Sequence, residues 1–214
     1  LGTPDSIERM FAIRLTDSAE EFDVAVHLSG RLFVIEVERH VPGGRTNHTS
    51  YVKPMMERIS KADTIEGLCD IAARQVRALT GFDRVMVYKF GENGSGSVLS
   101  ESLSGDQESF KGLRYPASDI PKQARAMYKR SLLRIITDVT EHGVEIIPAT
   151  NPEGVPLDLT MSTIRAVSPV HLEYLKNMGV GASMSISILK RGELWGLFAC
   201  HNDTPKNLPF HIRS

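Results

Sequence analysis

The stretch that decides the fold reads ASMSISILKRGELWGLFACH and occupies residues 182–201. Serines alternate with apolar residues in its first half, and bulky apolar residues fill most of its second half. Alternation with a period of two is typical of a β-strand that buries one face. The Arg191-Gly192 pair between the halves is typical of a tight turn. The sequence therefore predicts an antiparallel hairpin in which residues 182–189 pair with residues 194–201.

Helix and strand patterns precede this hairpin. Apolar residues at helical spacing run from Val52 to Ile59, and a second helical stripe begins at the capping pair Asp63-Thr64 and ends at Thr80-Gly81. Further patterns predict strands at 83–90, 97–101 and 132–137 and helices at 122–130 and 169–178. This order predicts an α+β domain with a central antiparallel sheet flanked by helices, which we expect on one face of the sheet.

Two segments bear on domain organisation. Residues 21–41 alternate around a Ser29-Gly30 turn and predict another β-hairpin, and residues 41–50 are polar, rich in turn formers and typical of a linker. A boundary near residue 50 then divides the chain into residues 1–50 and 51–214. Residues 138–163 have little regular pattern, and so long a loop in a compact domain is usually functional or disordered.

The composition excludes several classes of protein. The 214 residues include 25 Lys and Arg against 26 Asp and Glu, so the net charge of -1 gives no cationic field to hold nucleic acid. The two cysteines, Cys69 and Cys200, lie in apolar runs without metal-ligand spacing, and we expect buried thiols and no metal site. No apolar run is long enough to span a bilayer, and we expect a cytoplasmic protein without a membrane partner. The chain begins without Met and is interpreted as a piece of a longer protein.

A proline-bounded segment is the first of three polar clusters. Residues 115–121 read YPASDIP, and the two prolines bias Tyr115 and Ile120 toward extended geometry, which holds the carbonyl groups of the segment in place. The same pattern also fits a helix entry in which Ser118 or Asp119 is the N-cap.

Imidazole and hydroxyl groups make up the other two clusters. His171 and Tyr174 lie three residues apart on the predicted helix and share a face, although a lone histidine beside apolar residues is more often a core residue. The three serines of residues 183–187 share one face of their predicted strand, and His201 lies on the partner strand. A face lined with hydroxyl groups suits an anionic or amphipathic ligand.

Three strings of sequence closely resemble the chromophore-binding GAF domain of phytochromes. They are PASDIP at 116–121, SPVHLEYLKNMGV at 168–180 and LWGLFACH at 194–201, and the resemblance covers roughly residues 52–214. The hairpin at 21–41 resembles the end of the PAS domain that precedes GAF in this family. Residues 1–50 are therefore interpreted as the incomplete C-terminal part of a PAS domain, and residues 138–163 as the family's lasso, through which the segment before PAS is threaded.

The residue before His171 indicates which group of phytochromes the chain resembles more closely. Val170 stands where plant and many cyanobacterial phytochromes carry the cysteine that binds their bilin, and we keep it among the binding positions. The chain is thus more similar to bacteriophytochromes, which bind biliverdin IXα through a cysteine upstream of PAS, so the covalent cysteine is expected upstream of this chain. Asn202 replaces a second histidine common in the family, and we expect this change to be tolerated because His201 is kept.

The resemblance implies a red/far-red photoreceptor module in which light isomerises the double bond to the outer ring of biliverdin. It implies a sensory binding module and not an enzyme, because any kinase output would lie in domains outside this chain. The expected partners are the bilin chromophore and downstream signalling domains of the same polypeptide, with a homodimer as a further possibility.

The resemblance also implies a role for each site residue. The Asp119 carbonyl and His171 would face the inner pyrrole N–H groups, with Ile120 packed on a ring and Pro121 fixing the segment. One propionate would be held by Arg134, Arg165 and Tyr128, and the other by Ser183, Ser185 and Ser187. The pocket of the outer ring would consist of Tyr88, Tyr115 and Tyr174, with His201 hydrogen-bonded to the carbonyl of that ring.

Two other functions stay open at this point. A GAF domain that binds a cyclic nucleotide would share the architecture, and Arg134 and Arg165 could equally hold a phosphate. A hydrolase could use Asp119, His171 and a serine of 183–187 as a triad, although the sequence lacks G-x-S-x-G and strand serines have no strained turn to expose a nucleophile. The proline-fixed Asp119 carbonyl beside His171 favours the bilin, because a nucleotide does not require it.

Overall fold

The computed structural model describes residues 6–17, 19–42 and 49–214. The strands are β1 (Ile7–Ile13), β2 (Phe22–Ser29), β3 (Leu32–Arg39), β4 (Arg84–Phe90), β5 (Gly96–Leu103), β6 (Arg114–Tyr115), β7 (Leu133–Ile136), β8 (Ala182–Lys190) and β9 (Glu193–Asn202). The helices are α1 (Thr49–Ile59), α2 (Ile65–Thr80), α3 (Lys122–Arg130), α4 (Pro169–Asn177) and α5 (Phe210–Arg213). Most of the predicted linker at 41–50 lies outside the described residues.

The larger of two sheets is antiparallel and has six strands in the order β6-β5-β4-β9-β8-β7. The predicted hairpin of β8 and β9 is confirmed, with Ser183 opposite His201 and Lys190 opposite Glu193. Arg191 and Gly192 have φ of 54° and 79°, so both turn residues lie in the left-handed region that a two-residue hairpin turn requires. The sequence prediction of an α+β fold with an antiparallel sheet is therefore correct.

One face of this sheet packs against α2 and forms the main core. The Thr64 hydroxyl accepts the Gly67 N–H at the start of α2, and Gly81 ends the helix with φ of 66°. Cys69 and Cys200 are free thiols buried in this core, as predicted. The buried residues of this core are Cys69, Ala73, Phe82, Val85, Val87, Ile135, Met184, Cys200 and Leu208.

The opposite face, which carries Ser183, Ser185 and Ser187 and is called the serine face below, also has helices against it. The Ser187 hydroxyl donates to the carbonyl of Tyr128 in α3, and α4 packs against Ile136 through Leu172 and Leu175. The expectation of helices on one face is therefore wrong. Side chains alternate along β8, so its two faces differ, and α3 and α4 cover the polar face that α2 does not.

The first strands form a separate antiparallel sheet in the order β1-β2-β3. The predicted hairpin at 21–41 is confirmed as β2 and β3, whereas β1 was not predicted, because its sequence IERMFAI does not alternate and the strand is largely exposed. The Glu36 carboxylate accepts the N–H of Ile164 at 2.9 Å, and Arg213 in α5 pairs with Glu38. These contacts join the small sheet to the rest of the chain.

Between β7 and α4 the backbone of residues 137–168 contains only an isolated bridge of Thr150 with Pro156, which matches the unpatterned sequence. Within the described ranges, the helices are all too short or too polar to cross a bilayer.

Candidate functional site

The serine face brings together residues that lie far apart in the sequence. Arg134 on β7 lies directly opposite Ser185 on β8, and Ser183 lies opposite His201 on β9. His201 in turn lies opposite Arg84 on β4. Four neighbouring strands thus present guanidinium, hydroxyl and imidazole groups to one side of the sheet.

Arg134 is the most unusual side chain of this set. Its Nε and Nη2 atoms are buried and have no hydrogen-bond partner, and its guanidinium lies 4.8 Å from the centre of the Tyr128 ring. Burial lowers the pKa of Arg134, and the charge of Arg165 lowers it further. Because arginine remains charged in proteins, these unpartnered donors are costly in free energy. The site therefore suits an anion that can accept both hydrogen bonds.

Arg165 lies close enough to act on Arg134 electrostatically. Its own pKa is lowered by burial, while Tyr128 and Asp158 act in the opposite direction. Its Nη1 donates to the neighbouring Ala166 carbonyl at 3.2 Å, which leaves further donors of the guanidinium for a ligand. The two arginines predicted to act together thus lie within electrostatic range of each other.

The two site histidines are held in the neutral form. Burial lowers the pKa of His201 to about 4, with Arg84 and His171 adding to the effect, and its buried Nδ1 has no hydrogen-bond partner. His171 is exposed to solvent on α4, and desolvation by surrounding protein atoms, followed by the charge of Arg134, lowers its pKa. Its ring lies parallel to that of Tyr174, with centres 6.4 Å apart.

An aromatic cluster lies at the β4 side of the serine face. Tyr88 is buried, and its ring centre lies 5.9 Å from that of Tyr115. Burial raises the pKa of Tyr88 to about 12, and the charge of Asp119 adds to this rise. Ile120 packs against the same cluster. Burial raises the pKa of Tyr174, and Asp119 and Tyr115 add to the rise, so this third predicted outer-ring tyrosine lies within electrostatic range of the cluster.

Residues 116–121 enter α3 in a way that the sequence left open. Pro121 itself is the N-cap and makes no side-chain capping bond, and α3 begins at Lys122. The alternative in which Ser118 or Asp119 caps the helix is therefore wrong. The Asp119 N–H instead donates to the Pro116 carbonyl at 3.2 Å, and the exposed Asp119 carboxylate accepts only a long 3.4 Å bond from Ser118.

The serines differ in what they have left to offer a ligand. Ser187 donates its hydroxyl hydrogen to the Tyr128 carbonyl at 2.7 Å, so it connects β8 to α3. Ser183 is buried and Ser185 is half-buried. Ser183 lies opposite His201 and Ser185 lies opposite Arg134 on the neighbouring strands. In the described part of the chain no hydrogen bond joins the His171 ring to Asp119 or to a serine of residues 183–187, so a hydrolytic triad is not assembled there.

Two positions that the resemblance singled out do not contribute a side chain to the serine face. Val170 on α4 is 76% exposed, so its side chain is accessible but not packed. Asn202 is buried on the α2 side of β9, where it accepts the Asp83 N–H at 3.3 Å and donates to the Thr204 carbonyl at 3.0 Å. Asn202 thus has a structural role away from the serine face.

A large cleft lies elsewhere among the described residues. It has a volume of about 900 Å³ and runs between β3 and the 137–168 loop, and Arg165 is the one predicted site residue that lines it. Buried atoms Oε2 of Glu36 and Oγ of Ser162 lack hydrogen-bond partners beside it. We place the functional site on the serine face, where the complementary chemistry is concentrated. The described residues contain no group of three or more His, Cys, Asp or Glu side chains that could hold a metal ion.

Known proteins are similar to this chain in both sequence and fold. A model of the GAF domain family matches residues 64–213. The chain is 44% identical over 208 residues to cyanobacterial phytochrome B of Nostoc sp., covering 95% of this chain and 28% of that protein. It is 43% identical over 195 residues to a bacteriophytochrome of Pseudomonas aeruginosa, covering 90% and 27% respectively. The chain therefore spans less than a third of the length of these relatives.

Solved structures agree with the sequence relatives. The chromophore-binding domain of a bacteriophytochrome from R. palustris superposes with a TM-score of 0.87 at 37% identity, covering 96% of this chain and 68% of that one. The chain belongs to the GAF domain family of the phytochromes. This phytochrome GAF chain also matches the corresponding domain of a Stigmatella aurantiaca bacteriophytochrome with a TM-score of 0.86. The resemblance inferred from three strings is thus confirmed.

Sequence reasoning missed two residues that shape the phytochrome site. Arg84 is buried, pairs with Glu101 and lies 3.9 Å from the centre of the Phe110 ring, and its charge helps to keep His201 neutral. Gly96 lies under the Tyr88 ring, where an added Cβ would come within 1.8 Å of the phenol. Neither is marked by a motif, because each acts through a neighbour on the adjacent strand.

Proposed function

We propose that this phytochrome GAF chain is the light-sensing module of a photoreceptor and binds biliverdin IXα. The observation that carries the proposal is the buried Arg134 guanidinium with unpartnered Nε and Nη2 atoms. A carboxylate supplies the opposite charge and two acceptors that match the planar fork of arginine. Biliverdin carries two propionates, and the relatives include bacteriophytochromes.

The chain would hold the two propionates separately. When bound, biliverdin supplies the light-absorbing conjugated system. In the proposal Arg134 and Arg165 pair with one propionate, and Ser183 and Ser185 donate to the other. Ser187 is left out of the second set because its hydroxyl hydrogen already goes to the carbonyl of Tyr128.

Neutral polar groups would order the pyrrole rings. The Asp119 carbonyl and neutral His171 would accept from inner N–H groups, and His201 would hydrogen-bond the carbonyl of the outer ring. The low pKa values of both histidines support this part of the proposal, because a neutral imidazole offers one acceptor and one donor. The unpartnered buried Nδ1 of His201 supports it further.

Tyr88, Tyr115 and Tyr174 would surround the outer ring. Aromatic side chains confine a planar group by packing and impose few directional bonds on it, so a ring held among them can still turn. Rotation of that ring after absorption of red light is the proposed signal, and the change in its hydrogen bonds is what the rest of the polypeptide would detect.

The test of the proposal is pigment uptake by the purified chain. Biliverdin IXα should produce a sharpened red absorption band, and biliverdin dimethyl ester, which has no free carboxylates, should bind at least about tenfold more weakly. Arg134→Met should weaken uptake of biliverdin but not of the ester. Lys122→Met, which removes an exposed cation from α3, serves as the control. Unchanged free-pigment absorption with a correctly folded chain would refute the proposal.

A cyclic nucleotide is the second candidate, because Arg134 could equally donate hydrogen bonds to the oxygens of a phosphodiester. Calorimetry with cyclic AMP and cyclic GMP tests it directly. Nucleotide binding that depends on Arg134, without any uptake of biliverdin, would favour this candidate.

The wider assignments belong to the same proposal. Residues 1–50 would be the end of a PAS domain and residues 51–214 the GAF domain, and the covalent cysteine would lie upstream. The complete protein would be cytoplasmic, would pass its signal to downstream domains and could form a homodimer. The chain itself would be a sensory module, with any kinase activity in another domain.

A further inference from the structure

A single arginine side chain connects the proline-bounded segment to the turn between β4 and β5. Arg125 lies in α3, one turn after Pro121, and its Nη1 donates to the Ile120 carbonyl at 3.0 Å and to the Gly94 carbonyl at 2.9 Å. Gly94 belongs to the turn between β4 and β5. One nitrogen thus holds two loops that are far apart in the sequence.

The surroundings of Arg125 leave its guanidinium little freedom. It lies 6.0 Å from the centre of the Phe90 ring, and a Cβ added to Gly94 would come within 2.8 Å of Nη1. Gly94 has φ of 81°, a conformation that favours glycine and turns its carbonyl into the arginine's reach. Glycine at position 94 therefore leaves room for the Arg125 guanidinium and allows the backbone conformation in which the Gly94 carbonyl accepts its hydrogen bond.

We propose that Arg125 is a positioning residue, which fixes Asp119 by holding the adjacent Ile120 carbonyl against the β4–β5 turn. Asp119 precedes Ile120, and its carboxylate is exposed with only a 3.4 Å bond from Ser118. Proline can fix torsion angles within the segment, but it cannot fix the distance from the segment to the sheet. Arg125 sets that distance because it binds both the segment, at Ile120, and the β4–β5 turn, at Gly94.

The role of Asp119 toward a ligand rests on the proposed function, whereas the role of Arg125 in holding the segment does not. If the Asp119 carbonyl accepts from a protonated pigment, loosening the segment weakens that acceptance. The bound pigment should then lose its proton at a lower pH. A side chain that only stabilised the fold would leave this pH unchanged.

The first measurement needs no pigment. Hydrogen exchange of the pigment-free chain is compared for the native sequence, Arg125→Met, Arg125→Lys and Lys122→Met. Arg125→Met should speed exchange at residues 91–96 and 117–120 by about tenfold or more, which is the scale of hydrogen bonds from a charged donor. Exchange in α2 should not change, and Lys122→Met should match the native chain. Arg125→Lys keeps the charge but shortens the reach, so it should resemble Arg125→Met.

The second measurement is a pH titration of the absorption of bound biliverdin. Arg125→Met should lower the midpoint by about one pH unit, because a tenfold change in a proton equilibrium corresponds to one unit. Lys122→Met should leave the midpoint in place.

Each outcome decides one point. Unchanged exchange at both segments in a folded Arg125→Met variant would overturn the proposal. Faster exchange with an unchanged titration midpoint would also overturn it, because Arg125 would then be structural only. Failure of the native chain to take up biliverdin would refute the proposed function instead, and the exchange data would still decide whether Arg125 holds the segment.

Discussion

Asp119 offers a ligand two groups, a backbone carbonyl and a carboxylate, that a substitution can separate. We predict that Asp119→Ala and Asp119→His keep biliverdin uptake, because the carbonyl and the arginines remain. Loss of the anion beside Tyr88 and Tyr174 should reduce photoconversion by about tenfold or more and raise fluorescence. Absorption before and after red illumination checks this, with Ser118→Ala as the control.

A folded Asp119→Ala chain that no longer takes up biliverdin would contradict this division of roles. The carbonyl would then depend on the carboxylate for its position.

His201 makes the stability of the pigment-free chain depend on pH. Its folded pKa of about 4 lies below the usual value of 6.5, so the unfolded chain binds the extra proton between these values. Stability from a neutral His201 is therefore fully present above about pH 6.5 and is lost as the pH falls toward 4. The loss is at most about 3 kcal/mol for a shift of this size.

Urea unfolding at several pH values checks the His201 prediction. His201→Gln should flatten the dependence between pH 6.5 and 4 relative to the native chain, although His27 and His171, whose pKa values are also lowered, retain a share. Parallel stability curves for the two proteins would show that His201 does not bind its proton differently on folding.

At the scale of the element, the ends of α2 were predictable because they depend on local chemistry. Thr64 accepts the Gly67 N–H at 3.1 Å, which satisfies one donor of the first turn. We predict that Thr64→Ala lowers the free energy of unfolding by about 1 kcal/mol, whereas Thr64→Ser retains most of it. Denaturant titration of both variants checks this, and an equal loss for Ala and Ser would show that the hydroxyl is not the cause.

The elements that the sequence predicted poorly are those whose form depends on other parts of the chain. β1 lacks alternation because most of its residues are exposed, and only pairing with β2 makes it a strand. The candidate site was likewise predictable only where it depends on local sequence. Alternation placed the serines on one face, but the neighbours of Arg134 and the contacts of Arg125 follow from strand order and loop packing.

For the whole molecule, the contact between α5 and the small sheet of β1, β2 and β3 includes a largely buried ion pair. Arg213 is buried, pairs with Glu38 and donates to the Leu208 carbonyl at 3.1 Å. We predict that Arg213→Met lowers the free energy of unfolding by about 3 kcal/mol, because it leaves a partly buried carboxylate without its cation. The exposed pair of Arg39 and Glu20 gives the control, since Arg39→Met should cost less than about 1 kcal/mol.

Urea unfolding of both arginine variants checks this prediction. Equal effects of Arg213→Met and Arg39→Met would mean that the ion pair between α5 and the small sheet adds no more than a surface ion pair.

The sequence by itself determined the family, the α+β class and the ends of most elements after residue 60, because alternation, caps and turns are read over a few neighbouring residues. Through the resemblance of three strings it also predicted which side chains would bind a bilin. The tertiary structure alone decided that α3 and α4 cover the serine face, that Arg134 has two buried nitrogen atoms without a hydrogen-bond partner and that Arg125 bridges two loops. Burial and long-range hydrogen bonds arise only when distant segments meet, and no local pattern records them.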